Sequence, residues 1–273
     1  MKIVFVSSWH SEKMGYSDNM LPKAIAHLGH EVHLITSTAQ IYYNSELYET
    51  TYGVYLGPSI VDQGSKVIDG YTLHRLPFYS GREISIKGLL EKIAELKPDI
   101  VQTFDINRAT VYPLAVARKK IGYKLYTELH LHASVFPNYD KRSLFKRLKW
   151  YLRFGRLLKK INNETSLCYP IAEDCADIAR VLYSVPESKL KIQSLGTDTQ
   201  LFKPITTTLE SERRDFTRGQ FGFSSNAIVC IYTGRITKDK GPSILAKAID
   251  ILRRKGETQF SALFVGTGEP DHL

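Results

Sequence analysis

The sequence predicts an α/β protein built on parallel sheet, and three observations carry that prediction. Short apolar runs alternate with segments of helical periodicity, and small polar residues and glycines stand at the junctions. Runs such as "IVFV" are apolar throughout, as expected of a strand buried on both faces. With 273 residues, 43% hydrophobic and 24% charged, the chain has room for one large globular domain or two moderate ones. No uncharged apolar run approaches the ~18 residues of a membrane span. The start, "MKIVFVSSWH", reads as a strand rather than a secretion signal. Cys168, Cys175 and Cys230 form neither a metal-like pair nor a disulfide framework, which points to a reducing cytoplasm. A formal charge of +9 directs attention to anionic partners.

Taken in order, "KIVFVSS" is the first strand. "NMLPKAIAHLG" is a helix with Leu21, Ile25 and Leu28 on one face, capped by Ser17, Asp18 or Asn19 and stopped by Gly29. "EVHLITS" is the second strand. Residues 41–76 read as an inserted irregular region with β-like pieces such as "YTLHRLP". Ile86, Leu89, Leu90, Ile93 and Leu96 mark a helix ended by Pro98. "DIVQTF", "RATVYPLAVARKKIG" and "YKLYTELHLH" then give strand, helix and strand. A basic helix, the strand "TSLCYPIA", a helix through "EDCADIARVLY" and "KLKIQSLG" close the series. "TDTQLFKPITTTLESERRDF" reads as a crossing segment. The rhythm restarts with "AIVCIYTG", a helix bearing Ile244, Leu245, Ala248, Ile251 and Leu252 on one face, and "FSALFVGTG". The expected domains are 1–200, and 201–273 as linker plus an incomplete second domain. One β-α-β unit buries too little apolar area to stand alone, so further chain after Leu273, or support from the first domain or another subunit, is expected.

Four features point to chemistry. "YTGRITKDKG" places Arg235, Lys238 and Lys240 in the loop leaving a strand and entering a helix near Gly241-Pro242. Guanidinium, ammonium and helix N-terminus there suit a diphosphate; the plain alternative is a solvated loop. Gly15, in the loop after the first strand, would let backbone approach a ligand, although no GxGxxG follows and an ordinary turn is the plain alternative. In "TELHLHAS", Glu128, His130 and His132 would share one face of a strand. They read as a metal set, as one histidine facing a substrate, or as a structural histidine. Finally, Arg142, Lys146, Lys149, Arg153, Arg156 and Lys160 stripe a helix within an acid-free stretch, Lys141 to Lys160, beside bulky apolar residues. That pattern suits an anionic membrane surface or a core helix with a solvated face; nucleic acid is disfavoured, since no recognition motif accompanies it.

Together the motifs resemble a family: the retaining, nucleotide-sugar-dependent glycosyltransferases of group 1, with the GT-B fold. "SLGTDTQLFKP", "YTGRITKDKGPSILAKAI", "LFVGTGE" and "MGYSDNMLPKAIAHLGHEVHLIT" carry the resemblance in the family's order along nearly the whole chain. It implies a GT-B-like pair of Rossmann-like domains facing a cleft, the acceptor held by the first and the donor mainly by the second. It implies diphosphate contacts from Arg235, Lys240 and Gly15, and donor-side residues in the glycine turn Gly266, Gly268 and Glu269. It implies an active-site histidine near the donor sugar at His130, with His132 or Glu128 as alternatives. No cofactor and no metal are implied beyond the nucleotide-sugar substrate; the acceptor is an envelope glycan or a lipid-linked molecule. The location would be cytoplasmic, peripheral at the inner face of the membrane. The family's glutamate-x7-glutamate segment does not follow Gly268, so the chain is expected to be an N-terminal fragment with weak or absent transfer. The alternatives are a non-catalytic module that pairs with a partner, and a metal-dependent hydrolase using Glu128, His130 and His132.

Overall fold

The computed structural model describes residues 1–106, 108–133 and 143–268. They form two compact units: residues 1–44 with 58–197, and residues 45–57 with 198–273.

The first unit is a seven-stranded sheet ordered β3-β4-β2-β1-β7-β8-β9. Its strands are β1 (Lys2–Ser7), β2 (Glu31–Ser37), β3 (Gly64–Ile68), β4 (Tyr71–Leu76), β7 (Ile100–Thr103), β8 (Lys124–Leu129) and β9 (Thr165–Pro170). A separate hairpin joins β5 (Phe78–Tyr79) to β6 (Ser85–Ile86). All pairs in the main sheet are parallel except β3 with β4. Helices α1 (Ser17–His27), α3 (Leu89–Leu96), α4 (Arg108–Ile121), α5 (Leu144–Glu164) and α6 (Glu173–Tyr183) accompany it. The sheet buries both faces. Val4 and Val6 of β1 enter a core shared with Ile93, Leu114 and Ile161, whereas Ile3 and Phe5 face Leu21 and Ile25 of α1. That two-sided burial is why the first strand is apolar from Ile3 to Val6.

From β1 the chain crosses through α1 to β2 on one side, and later through α3 to β7 on the other. The connection after β1 leads to β2 on one side, and that after β7 leads through α4 to β8 on the other. β1 and β7 therefore mark the switch point at whose carboxyl ends α/β sheets hold ligands.

The irregular reading of 41–76 is corrected in part. "YTLHRLP" supplies β4, an interior strand parallel to β2 with Tyr71 and Leu73 buried. The Ile86 end of the predicted helix belongs instead to β6, and α3 begins at Leu89.

The second unit contains the π-helical turn Tyr48–Gly53 with short α2 (Val54–Leu56), then α7 (Thr208–Gln220), β10 (Ile228–Thr233), α8 (Pro242–Arg254) and β11 (Phe260–Val265). β10 and β11 pair in parallel, so one β-α-β unit is built here. The crossing segment contains α7, held by a reciprocal cap: Thr207 Oγ1 accepts Glu210 N at 3.2 Å, and Glu210 Oε2 accepts Thr207 N at 3.1 Å. Ile249 of α8 is buried with Leu245 and Leu252 half-buried, whereas Ile244, Ala248 and Ile251 are exposed, a rotation from the predicted packing face.

Candidate functional site: the strand ends of each unit

In the second unit the loop after β10 and the turn after β11 run side by side. Gly234 N donates to Val265 O at 3.0 Å and Ile236 N to Thr267 O at 2.8 Å. The approach is close enough that a Cβ on Gly266 would stand 1.9 Å from Gly234 O, and one on Gly268 would stand 2.1 Å from Ile236 O. Glycine at both positions is required by backbone meeting backbone. Glu269 lies outside the described residues.

Tyr232 Oη donates to the Arg235 carbonyl at 2.5 Å, so the strand's own side chain holds the turn. Arg235 is half-buried, and Lys238 and Lys240 are exposed on a 3-10 turn. Gly241, at φ 68°, then starts α8, with Pro242 in its first turn. The N-terminus of α8 differs from those of α1, α3, α4, α6 and α7, as does that of α5, which also has no acidic residue in its first turn. α1, α3, α6 and α7 carry an acidic residue in the first turn. α4 takes the Glu83 carboxylate, which accepts Ala109 N at 3.0 Å and pairs with Arg108 at 2.5 Å. α8 has no acidic residue in its first turn and no side-chain cap, and the preceding turn carries Lys238 and Lys240 with Asp239 between them in sequence. The positive end of α8 is therefore not neutralised by its own first turn.

In the first unit the loop after β1 is fixed by polar contacts. Ser37 Oγ donates to Ser8 O at 2.6 Å, and the buried Arg75 guanidinium donates to His10 O at 3.1 Å. The fully buried His10 sets Nδ1 2.7 Å from Asp18 Oδ2. Glu12 pairs with Arg75 and Lys66, and those cations hold its carboxyl below the usual range against the opposing effect of burial. Gly15 follows; a Cβ there would meet nothing within 4 Å, and its φ does not require glycine. Local packing thus leaves Gly15 unexplained. His10 and Arg75 escape sequence reasoning: a histidine just past a strand and an arginine inside one carry no motif.

β8 stops at Leu129, and beyond it His130 stays with Glu128 while His132 goes to Asp174. Glu128, 7% exposed, accepts Gln102 Nε2 at 2.5 Å and lies 2.8 Å from His130 Nε2. His132 reaches Asp174 Oδ2 at 3.1 Å, and the same oxygen accepts Ala133 N at 3.0 Å. That backbone donor leads the contacts holding the Asp174 carboxyl below its ordinary value. Among the described residues no group of three or more His, Cys, Asp or Glu is placed to hold a metal ion.

On α5, Lys149, Arg153 and Arg156 are exposed, and half-buried Lys160 pairs with Glu164 at 3.1 Å. Arg142 and the Lys146 side chain lie outside the described residues. No helix among the described residues is long and apolar enough to cross a membrane.

No protein-family model matches the chain, and no curated protein sequence does. Solved structures do. Anabaena Alr3699/HepE in complex with UDP matches at TM-score 0.57 and 18% identity, over 99% of this chain and 62% of that one. The UDP-glucose complex of the same protein matches at TM-score 0.54 and 19% identity, over 100% and 63%. A glycosyltransferase from Rickettsia africae matches at TM-score 0.53 and 14% identity, over 97% and 68%. At such identity the likeness establishes the fold: this mixed α/β chain, with its mostly parallel central sheet, shares the GT-B fold. It spans about 62% of the length of the HepE chain in its UDP complex.

Proposed function

We propose that the chain belongs to a nucleotide-sugar-dependent glycosyltransferase, and that its second unit grips the donor's diphosphate. The observation that carries this reading is the start of α8, a helix N-terminus with no acid in its first turn, introduced by Arg235, Lys238 and Lys240. Arg235 forks onto two phosphate oxygens and Lys240 adds a compact charge. As the glycosidic bond to the diphosphate breaks, negative charge gathers on the leaving oxygen; fixed cations and helix N–H groups stabilise it. The cations meet that charge themselves, and no metal is required. In the first unit, His130, steadied by Glu128, is assigned to a sugar hydroxyl, and Gly15 leaves room for a ligand beyond β1. That HepE binds UDP and UDP-glucose supports a uridine nucleotide as the first probe. Retention of anomeric configuration, and an envelope glycan or lipid-linked acceptor, complete the proposal on the motif resemblance.

Titration calorimetry with UDP and GDP tests it. Binding of one nucleotide, unchanged by EDTA and weakened about tenfold or more in Arg235→Ala and Lys240→Ala, is expected, since a charged hydrogen bond is worth roughly 1.5–3 kcal/mol. Absence of binding by either nucleotide at millimolar concentration overturns it.

A second reading, an assembly module completed by a partner, is favoured by one observation. Ile231, Ile244, Ile251 and Val265 of the second unit are exposed. Light scattering separates the two: a well-behaved monomer argues against obligate pairing.

A further inference from the structure

Helix α5 turns an apolar ridge outward. Phe145 is 75% exposed, Leu148 54% and Leu152 75%, and these three with Lys149 and Arg153 line a hollow of about 400 Å³. At about 100° per residue, positions 145, 148 and 152 fall on one side of the helix, and 149, 153 and 156 fall beside them. The opposite side is the one that packs. Leu158 and Ile161 are buried in the cores, Trp150 Nε1 donates to Leu182 O at 2.9 Å, and Arg108 stacks on Phe154 at 4.6 Å. Packing gives α5 an inward face at Phe154, Leu158 and Ile161. Tyr151 is exposed as well, 65%.

We propose that this outward face of α5 is a docking surface for an anionic lipid bilayer, with Phe145, Leu148 and Leu152 entering the headgroup–acyl boundary and Lys149, Arg153 and Arg156 meeting lipid phosphates. Charge selects this occupant. The stretch Lys141 to Lys160 contains no acidic residue, so the cations beside the ridge are not cancelled within their own segment. A second copy laid on the ridge would bring Lys149, Arg153 and Arg156 against their own counterparts, and like charges repel. An amphipathic helix with apolar side chains on one strip and cations along it lies in the interface plane rather than across the bilayer. The surface does not rest on the nucleotide reading: vesicle binding and nucleotide binding are separate measurements, and either can fail alone.

The test is sedimentation of the full chain with vesicles of phosphatidylcholine alone or with 30% phosphatidylglycerol, a composition chosen so that roughly one lipid in three is anionic. Binding is expected only with the anionic lipid, and it should weaken as salt rises. The triple variant Lys149→Gln/Arg153→Gln/Arg156→Gln should bind about 100-fold more weakly, at about fivefold per charge. Phe145→Ser/Leu152→Ser should bind at least about tenfold more weakly. All five substituted positions are outside the packed cores, so thermal unfolding should leave both variants folded. Equal binding to neutral vesicles, or unchanged binding by both variants, overturns the proposal. So does a dimer in light scattering that Leu152→Ser dissolves, which would make the ridge a self-association face.

Discussion

Glu128 stands between two partners: its Oε2 lies 2.8 Å from His130 Nε2, and its Oε1 accepts the Gln102 side chain. The carboxylate is nearly buried, so it is a fixed support for the histidine rather than a surface charge. Glu128→Ala strands both partners and should cost about 1–3 kcal/mol in urea unfolding. His130→Ala, which removes a more exposed group, should cost less. An order reversed in that measurement would mean the pair is not built around the carboxylate.

The glycines of the second unit should rank by geometry. Gly266→Ala forces a Cβ against Gly234 O and Gly268→Ala forces one against Ile236 O, while Gly15→Ala adds a methyl to open space. The first two should lose about 1–3 kcal/mol or more, with faster amide exchange in β10 and β11. Gly15→Ala should stay within about 0.5 kcal/mol. If it also abolishes nucleotide binding, room above Gly15 matters to the ligand.

Arg235→Lys separates charge from shape. A lysine keeps the positive charge but not the planar fork. Calorimetry should show UDP affinity reduced about tenfold at 100 mM salt, with the loss smaller than in Arg235→Ala. Equal affinity for wild type and Arg235→Lys would remove the bidentate contact from the proposal.

Acid stability carries two signatures. Burial, then His33, pushes the His74 imidazole from 6.5 down to about 4. Between those values the unfolded state binds a proton that the folded state refuses, so stability falls as pH drops from about 6.5 to about 4 and then levels off for this group. In the fold His74 bonds Ser65 at 2.7 Å and His33 at 3.0 Å, and Lys92 and Glu95 add their fields. His74→Asn should flatten that limb of a urea-midpoint titration.

Glu164 gives the second signature. Lys160 first, then Arg118, draw its carboxyl from 4.5 to about 2 against the effect of burial. Its contribution is present above about 4.5 and is lost as pH falls toward 2. Glu164→Gln should therefore lower the unfolding midpoint at pH 7 and converge with wild type near pH 2. A constant difference across that range would mean the ion pairs are not the cause.

Much of this architecture was legible in the chain, because β1, β2, α1, α4 and α8 are set by local rules: apolar runs, helical spacing, a proline at a first turn. The basic loop from Arg235 to Gly241 was legible for the same reason, as it sits between two such elements. What the tertiary structure alone decided are relationships over long separations. Arg75 meets His10 across 65 residues and Glu128 meets Gln102 across 26, and neither pairing has a local signature. So too with the histidines past the end of β8 at Leu129: His130 meets Glu128, and His132 meets Asp174 across 42 residues. Tertiary contact chose which side of α5 faces inward, because helical periodicity defines the faces of a helix but only its neighbours determine which one is buried. It made Gly266 and Gly268 obligatory, since that need arises from a second backbone about 30 residues away in sequence rather than from their own turn.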